Sequence, residues 1–309
     1  MSINKPYFIV NPHAAHGKVG KQWPRIIHYL RTEGIAVNAD VTKSRWHAYH
    51  LAREAAKSGA QLIVSVGGEG TFNEIINGIL SCTTQTKLLP EVAMMPIGTG
   101  MDLARILKIP KDYKRAFDVV RTGRTTLMDV GKVVFRTGKR AWHRYFANAF
   151  DVGLGGMVVR ISNNTPKNLG GFLTFLLSSL VSLVIFKRLQ LKIWIDKKHT
   201  DNGLMTILGA LNGQYFGGGM HAAPMASPDD GVLEFIYVKD TNIFKFIVHV
   251  LAKVYTGTHL KYKNVYHCRG TELRVECNKI CLMDVDGEEE RAREVTVSVV
   301  PKAIKLRVP

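Results

Sequence analysis

The sequence predicts an α/β domain followed by a β domain. Up to about residue 130, short apolar segments alternate with stretches whose apolar residues recur at helical spacing, which is typical of βα units around a parallel sheet. Beyond residue 130, eight segments show period-two alternation between turns, which indicates antiparallel strands. We therefore predict a Rossmann-like three-layer α/β domain over residues 1–130 and an antiparallel β-sandwich domain over residues 131–298.

The elements of the first domain follow from this alternation. We predict strands at residues 7–10, 37–41, 62–66 and 92–95 and helices at residues 23–33 and 47–58. A third helix is predicted to begin near residue 72, and a fourth to begin within residues 96–105. Right-handed βα crossovers make such a sheet mainly parallel, and its ligands lie beyond the carboxyl ends of the strands. The functional residues of this domain are therefore expected at those ends.

The second domain is predicted from its period-two segments. These lie at residues 132–135, 143–149, 189–195, 205–211, 233–238, 272–275, 279–285 and 294–299. The closing segment, residues 299–306, is apolar enough to form a further strand. The apolar run 172–186 is shorter than the ~20 residues that span a bilayer, so no transmembrane segment is predicted. It is interpreted either as a buried helix or as the wall of a cleft through which lipid enters, with basic flanking residues meeting headgroups.

The charge of the chain indicates an anionic partner. Lys and Arg exceed Asp and Glu by 42 − 25 = 17 in 309 residues. The basic residues are scattered and form no aromatic-interleaved stripe, which favours an anionic membrane surface over nucleic acid. The four cysteines contain no CxxC pair and the N-terminus lacks a signal peptide pattern, so we expect reduced thiols in a cytoplasmic protein.

A glycine-rich turn at residues 67–71 is the strongest local signal. The apolar segment 62–66 runs into Gly67-Gly68-Glu69-Gly70-Thr71 and then into a helical pattern. Glycines let the backbone approach a bulky ligand, and the amides of a helix N-terminus favour negative charge, so the predicted ligand is a phosphate group. Asn73, Glu74 and Asn77 add donors and acceptors nearby. The alternative is a tight strand-to-helix turn that binds nothing.

The loop after the first predicted strand has a similar character. Asn11 and the loop amides could hold phosphate or adenine, with Lys18 and Lys21 supplying positive charge, or the loop could simply be solvated. Thr42 lies at the end of the second predicted strand.

The stretch GGEGTFNEIING resembles the GGDGT-x-NE-x-x-NG signature of the diacylglycerol kinase catalytic-domain family, with Glu69 in place of the usual Asp. Four further segments match the family in order: 11–18, 96–105, 212–231 and the DGE at 286–288. A fifth, 148–159, is similar. Ala15, Met101 and Gly155 depart from the family pattern. Gly155 stands where sphingosine kinases carry an acidic residue for the substrate amine.

The resemblance implies a fold like that of NAD kinases and diacylglycerol kinases, in which the final strand, 299–309, returns to the first domain. It also implies roles for particular residues. ATP would be held in the cleft between the domains, Mg²⁺ would be required, and Asp286 or Glu288 would be the general base. The residues expected to bind the nucleotide are Asn11, Thr42, Gly67, Gly68, Glu69, Gly70, Thr71, Phe72, Asn73, Glu74 and Thr99. A structural Mg²⁺ would be bound by Asp230 with Ser227 and Val232.

The resulting prediction is an ATP-dependent lipid kinase that converts a diacylglycerol-like lipid to a phosphatidic acid-like product. It would be a cytoplasmic enzyme of phospholipid metabolism, peripherally bound to a membrane that contains anionic phospholipid. A homodimer is left open, and no nucleic acid partner is expected. Three alternatives remain: a sphingoid-base or ceramide kinase, an NAD kinase, and a lipid-binding protein whose catalysis is impaired by Glu69 and Met101.

Overall fold

The computed structural model describes residues 5–82, 89–98, 101–165 and 171–309. The chain divides into two compact units. The first contains residues 1–128 and 302–309, and the second contains residues 129–301. Among the described residues, no helix combines the length and hydropathy needed to cross a membrane.

The first unit is built on a parallel sheet. Its strands are β1 (Tyr7–Val10), β2 (Asn38–Val41), β3 (Leu62–Gly67) and β4 (Glu91–Pro96), in the order β2-β1-β3-β4. Lys305 and Leu306 of the last strand pair in parallel with β4. The helices are α1 (Lys18–Thr32), α2 (His47–Lys57), α3 (Glu69–Leu80), α4 (Asp102–Ile106) and α5 (Tyr113–Thr122).

The helices of this unit pack against side chains that alternate along its strands. Phe8 and Val10 of β1 share a buried cluster with Ile26 of α1 and Phe117 of α5. The helices α2 and α3 pack against each other. Their close approach requires Gly78, because a Cβ there would lie 2.3 Å from the backbone oxygen of Tyr49. The packing of the helices on the strands, and of α2 against α3, thereby fixes the carboxyl ends of β1, β2 and β3.

The second unit is antiparallel. Its strands are β5 (Arg124–Thr137), β6 (Arg140–Phe146), β7 (Ala149–Gly153), β8 (Leu189–Ile195), β9 (Lys198–Leu211), β10 (Leu233–Lys239), β11 (Val265–Gly270), β12 (Glu272–Val285) and β13 (Glu288–Val308), where β5 begins and β13 ends in the first unit. Its helices are α6 (Leu154–Asn164), α7 (Gly171–Ile185) and α8 (Ile243–Phe246), the last continued by a π-helical turn over Ile247–Leu251.

Two long strands organise this unit. β9 pairs with β8 through its first half and with β7 through its second half, and β12 pairs with the same two strands. The enclosed side chains form one apolar cluster that includes Phe150, Leu208, Phe235 and Val275. This pairing produces the predicted β-sandwich type of domain.

Most predicted strands are confirmed, and the differences have local causes. The predicted strand 143–149 is wrong, because β6 ends at Phe146 and β7 begins at Ala149. The first helix begins at Lys18, so Pro24 lies inside it rather than near its start. The apolar run does form helix α7, but the interpretation as a buried helix is wrong, since Val184 is 78% exposed.

Candidate active site

The turn between β3 and α3 has open space on one side and a packed threonine on the other. A Cβ added to Gly68 or Gly70 would meet no atom within 4 Å, whereas one on Gly67 would lie 2.7 Å from the Thr71 Oγ1. The first amides of a helix have no acceptor within the helix. A phosphate group could therefore reach the N-terminus of α3 without a side chain in the way.

A side-chain hydrogen bond joins this turn to the loop after β1. Asn11 Nδ2 donates to Thr71 Oγ1 at 3.0 Å, and Asn11 Oδ1 accepts from the His13 amide at 3.1 Å. The Asn11 amide donates to Val66 at 3.0 Å, and the amide of the buried Thr42 donates to Val10 at 2.8 Å. The structure thus brings Asn11 and Thr71 together at the carboxyl edge of the sheet.

The two glutamates of this region hold helix N-termini. Glu69 Oε1 accepts from the Leu103 amide in α4 at 2.6 Å. Glu74 accepts from the amides of Trp46 and Ala48 at the start of α2, at 2.9 and 3.0 Å. Burial raises the pKa of the Glu74 carboxyl, and these backbone donors act in the opposite direction. Both carboxylates thus accept hydrogen bonds from the backbone at the starts of other helices.

The remaining predicted nucleotide residues differ in exposure. Phe72 and Asn73 are buried within α3, where the Asn73 Oδ1 accepts from Asn77 Nδ2 at 3.1 Å. Thr99 lies outside the described residues. Met101, which departs from the family pattern, is buried, and its sulfur would lie 2.7 Å from a Cβ on Gly98. Met101 therefore makes an apolar contact that an amide side chain would not supply.

In the second unit, the DGE segment forms the hairpin between β12 and β13. Asp286 and Gly287 both have positive φ, of 49° and 88°. The Asp286 carboxylate accepts three backbone hydrogen bonds, from Ala147, Asn148 and Ala149, at 2.7 to 3.1 Å. Asp286 therefore organises the break between β6 and β7, with both of its oxygens engaged.

The glutamates after Gly287 differ from Asp286. Glu288 is the half-buried first residue of β13 and pairs with Val285. Glu290 forms an ion pair with Arg144 at 2.6 Å and accepts from the Trp142 indole at 3.2 Å. Glu290 is thus engaged in an ion pair with Arg144. Glu288 lies between Glu290 and the turn.

Two buried carboxyls face each other on adjacent strands, a pairing that no sequence pattern predicts. Asp151 of β7 lies opposite Asp284 of β12. Burial raises the pKa of Asp151 to about 7; burial and then the Asp151 charge raise the pKa of Asp284 well above its ordinary value. The Gly156 amide donates to Asp151 Oδ1 at 3.2 Å. A Cβ on Gly155 would lie 2.1 Å from the same carboxylate, so glycine is required there.

Asp129 anchors the loop on which the metal prediction falls. It is fully buried in β5, its amide donates to Pro228, and its Oδ2 accepts from the Gly231 amide at 2.7 Å. The buried Asn212 donates to the Asp129 carbonyl at 2.9 Å. The sequence signal for this role is a charged residue within an otherwise apolar segment, residues 127–131.

The predicted ligands of a structural Mg²⁺ have other partners in this structure. Asp230 Oδ2 lies 2.5 Å from the Arg269 guanidinium, and Asp230 Oδ1 accepts from the Val232 amide at 3.2 Å. The Ser227 hydroxyl donates to Asp229 at 2.5 Å. Among the described residues, no group of three or more His, Cys, Asp or Glu side chains could hold a metal ion. A metal at Asp230 requires Arg269 to move, so this set does not fit the ion as arranged here.

A parallel α/β unit with a glycine turn at its carboxyl edge, joined to an antiparallel β unit, defines a class of two-domain kinases. Two family models match the chain: the diacylglycerol kinase catalytic domain over residues 5–133, and the YegS C-terminal NAD kinase beta sandwich-like domain over residues 148–308. The chain belongs to the diacylglycerol kinase catalytic-domain family and is a lipid kinase.

The names of similar curated proteins agree with this assignment. A diacylglycerol kinase of Bacillus subtilis is 27% identical over 290 residues, covering 93% of this chain and 90% of its own. A diacylglycerol kinase of Staphylococcus epidermidis is 27% identical over 284 residues, covering 91% and 84%.

Two solved structures show the fold. A diacylglycerol kinase from Bacillus anthracis has a TM-score of 0.71 at 20% identity, covering 99% of this chain and 97% of its own. A yeast NADH kinase solved with NADH has a TM-score of 0.54 at 11% identity, covering 98% and 82%. The predicted fold class is confirmed.

Proposed function

We propose that this lipid kinase transfers the γ-phosphate of ATP to the hydroxyl of a diacylglycerol-like lipid and releases a phosphatidic acid-like product. The observation that carries the proposal is the open glycine turn at the N-terminus of α3, fastened to the β1 loop by the Asn11–Thr71 hydrogen bond. The names of the relatives, diacylglycerol kinases of two genera, support the acceptor.

In this proposal the first unit binds the nucleotide phosphates. The backbone of Gly68 and Gly70 and the hydroxyl of Thr71 would contact phosphate oxygens, and Asn11 would fix the Thr71 side chain. Phe72 and Glu74 would act indirectly, since Phe72 is buried in the helix and Glu74 holds α2. Such positioning, together with electrostatic stabilisation, accounts for most of the catalysis of phosphoryl transfer.

Magnesium is proposed as the ion that accompanies ATP, where it would neutralise phosphate charge. Mg²⁺ in kinases is held by one or two carboxylates, by substrate phosphates and by water, so a dense protein cage is not needed. Glu69 at the start of α3, acting through water, and Asp102, buried at the start of α4, are the carboxylates of the first unit that we propose for this ion. We do not extend the proposal to a structural ion at Asp230.

Glu288 is the better candidate for the general base. A base must accept a proton from the attacking hydroxyl, and both oxygens of Asp286 already accept backbone hydrogen bonds at 3.1 Å or less. Asp286 would instead position the hairpin that carries Glu288. Of the two carboxylates proposed from the DGE segment, the structure therefore favours Glu288 for proton transfer.

A sphingoid-base kinase is the weaker alternative. An acidic side chain at position 155 would recognise the substrate amine, but a Cβ there would collide with Asp151. Asp151 cannot replace it, because it is buried and packed between β7 and α6. A protein with impaired catalysis is the other alternative. It is favoured by the hydrogen bond from the Leu103 amide to Glu69, because this bond engages the carboxylate within the protein.

Transfer of labelled γ-phosphate from ATP and magnesium to a lipid panel tests the proposal. The panel contains diacylglycerol, phosphatidylglycerol, sphingosine, ceramide and NAD in mixed micelles. Labelled phosphatidic acid is the expected product. Label in sphingosine or ceramide alone would replace the proposed acceptor, and ATP binding without any labelled product would establish the impaired alternative.

A further inference from the structure

In the part of helix α7 whose side chains the structure describes, the small polar residues are buried and most large apolar residues are exposed, with Leu183 as the buried exception. Thr174, Ser178 and Ser182 recur every four residues on one face and are at most 2% exposed. Their hydroxyl oxygens have no hydrogen-bond partner within the part of the chain that the structure describes. The opposite face exposes Leu177, Leu180, Val181, Val184 and Ile185, each by 40% or more.

This arrangement is the reverse of a helix on a water-facing surface, which buries its apolar face. The helix packs against α6, and small side chains in a four-residue repeat allow helices to approach closely, as they do in lipid. In water the packing gains little from the buried hydroxyls and leaves five aliphatic side chains hydrated. The outward face of α7 therefore suits an apolar environment.

A second apolar segment adjoins the end of α7. Phe244 is 72% exposed, and Ile243, Ile247 and Val248 are exposed by 39% or more. A cavity of about 450 Å³ is lined both by Leu183 and Phe186 at the end of α7 and by residues of α8, so the two segments are neighbours. We name these residues the apolar face; its members are Leu177, Leu180, Val181, Val184, Ile185, Ile243, Phe244, Ile247 and Val248.

Basic residues accompany the apolar face. Lys187 and Arg188 follow α7 and line the same cavity, and Lys245 lies next to Phe244. All three are exposed, and none forms an ion pair with an acidic residue in the described ranges. Apolar side chains beside unpaired cations match the interface of an anionic bilayer. A two-fold dimer through this face would instead place equal cation clusters near each other.

We propose that the apolar face, with Lys187, Arg188 and Lys245, docks on the surface of a bilayer that contains anionic lipid. The proposal rests on the proposed function, because a diacylglycerol-like substrate resides in a bilayer, but it specifies which surface of the second unit meets that bilayer. The apolar side chains enter the region below the headgroups, and the three cations contact the headgroups.

Flotation with vesicles made of equal parts phosphatidylcholine and phosphatidylglycerol tests the proposal. The double variant Val184→Ser with Phe244→Ser should bind at least about tenfold more weakly than the parent protein, since two large apolar anchors are lost. The triple variant Lys187→Gln, Arg188→Gln and Lys245→Gln should bind roughly a hundredfold more weakly, and its binding should lose most of its salt dependence.

Matched controls lie elsewhere in the second unit. Ile280→Ser changes an apolar residue that is 57% exposed on β12, and the triple variant Lys139→Gln, Lys192→Gln and Lys197→Gln removes the same charge from other exposed positions. Both controls should bind like the parent protein. Equal losses in the control triple and the test triple would reduce the effect to net charge and overturn the proposal.

A soluble short-chain diacylglycerol separates this proposal from the proposed function. Docking variants that phosphorylate it at the parental rate but lose activity on vesicles support both. If neither the parent protein nor any variant phosphorylates a lipid, the proposed function fails, while weaker vesicle binding of the test variants still supports docking. Unchanged vesicle binding in both test variants overturns docking. So does a parent dimer in sedimentation that the apolar variant dissociates without any change in vesicle binding.

Discussion

The two units use their carboxylates differently. In the first unit, Glu69 and Glu74 accept backbone hydrogen bonds at the starts of α4 and α2. In the second unit, Asp286 and Asp129 accept them from turns and strand breaks. In both, acidic residues that resemble ligands or bases in the sequence accept hydrogen bonds from backbone amides. An acid-rich motif therefore overstates the number of groups available for chemistry.

The largest expected effect tests whether Glu288 differs from the structural acids. Glu288→Gln should lower kcat for lipid phosphorylation by about 10²- to 10⁴-fold, because a general base contributes on that order. The fold should be preserved, since the substitution is isosteric, and thermal unfolding should shift little. Parental turnover in this variant would show that Glu288 belongs with the structural acids of the second unit.

The buried pair Asp151 and Asp284 predicts an unusual pH dependence of stability. The pKa of Asp151 is raised to about 7 from 3.8, so the folded state binds protons that the unfolded state has released. The free energy of unfolding should therefore fall as the pH rises from about 4 to about 7. Asp284→Asn removes a second buried carboxyl whose raised pKa forces it to keep its proton in the folded state, so it should raise stability at neutral pH and make this slope shallower, while the contribution of Asp151 remains.

Denaturant unfolding of the parent protein and of Asp284→Asn at several pH values measures this effect. Asp129→Asn is the comparison, because Asp129 is equally buried but its carboxylate accepts from the Gly231 amide rather than facing Asp151. That variant should be destabilised at all pH values. A parent protein whose stability rises between pH 4 and 7, with the same slope in Asp284→Asn, would contradict the raised pKa values of the two buried carboxyls.

The first unit was the more predictable of the two, for physical reasons. Three of its strands, β1, β3 and β4, are short and largely buried runs, and such local signals are sufficient to predict a parallel sheet. The turn at Gly67 could be predicted for the same reason. The contacts of Glu69 and Glu74 could not, because their partners Leu103 and Trp46 lie 34 and 28 residues away in the chain.

The second unit concealed more. Helix α6 begins at Leu154 and contains Gly155 and Gly156, so its sequence does not read as a helix. Both glycines are required by contacts with Asp151 and with the backbone of β12, which only the folded structure reveals. The run forming α7 was predicted as apolar, but composition alone does not tell which face is exposed. By contrast, helix α5 of the first unit has a clear local signal, because Asp112 caps an amphipathic stretch. That helix is absent from the elements predicted above.

A smaller effect separates the turn-organising role of Asp286 from catalysis. Asp286→Asn places an amide NH₂ against backbone donors that the carboxylate now accepts, so it should cost about 2 kcal/mol of stability. Activity per folded molecule should fall less than in Glu288→Gln. Unfolding in urea and turnover measured on the same preparation test both statements; a parental midpoint combined with a loss of turnover as large as in Glu288→Gln would make Asp286 the base.

The smallest effect compares the two ways in which the first unit holds a helix start. Glu74 reaches α2 from another helix, whereas Asp112 is the local cap of α5 and accepts from the Arg115 amide at 3.0 Å. Asp112→Ala should cost about 1 kcal/mol, as for other caps. Glu74→Gln should cost a similar amount but also lower the affinity for ATP, because Glu74 connects α2 to the helix that follows the glycine turn. Calorimetric titration with ATP separates the two, since a Glu74→Gln protein with parental affinity would reduce Glu74 to a cap like Asp112.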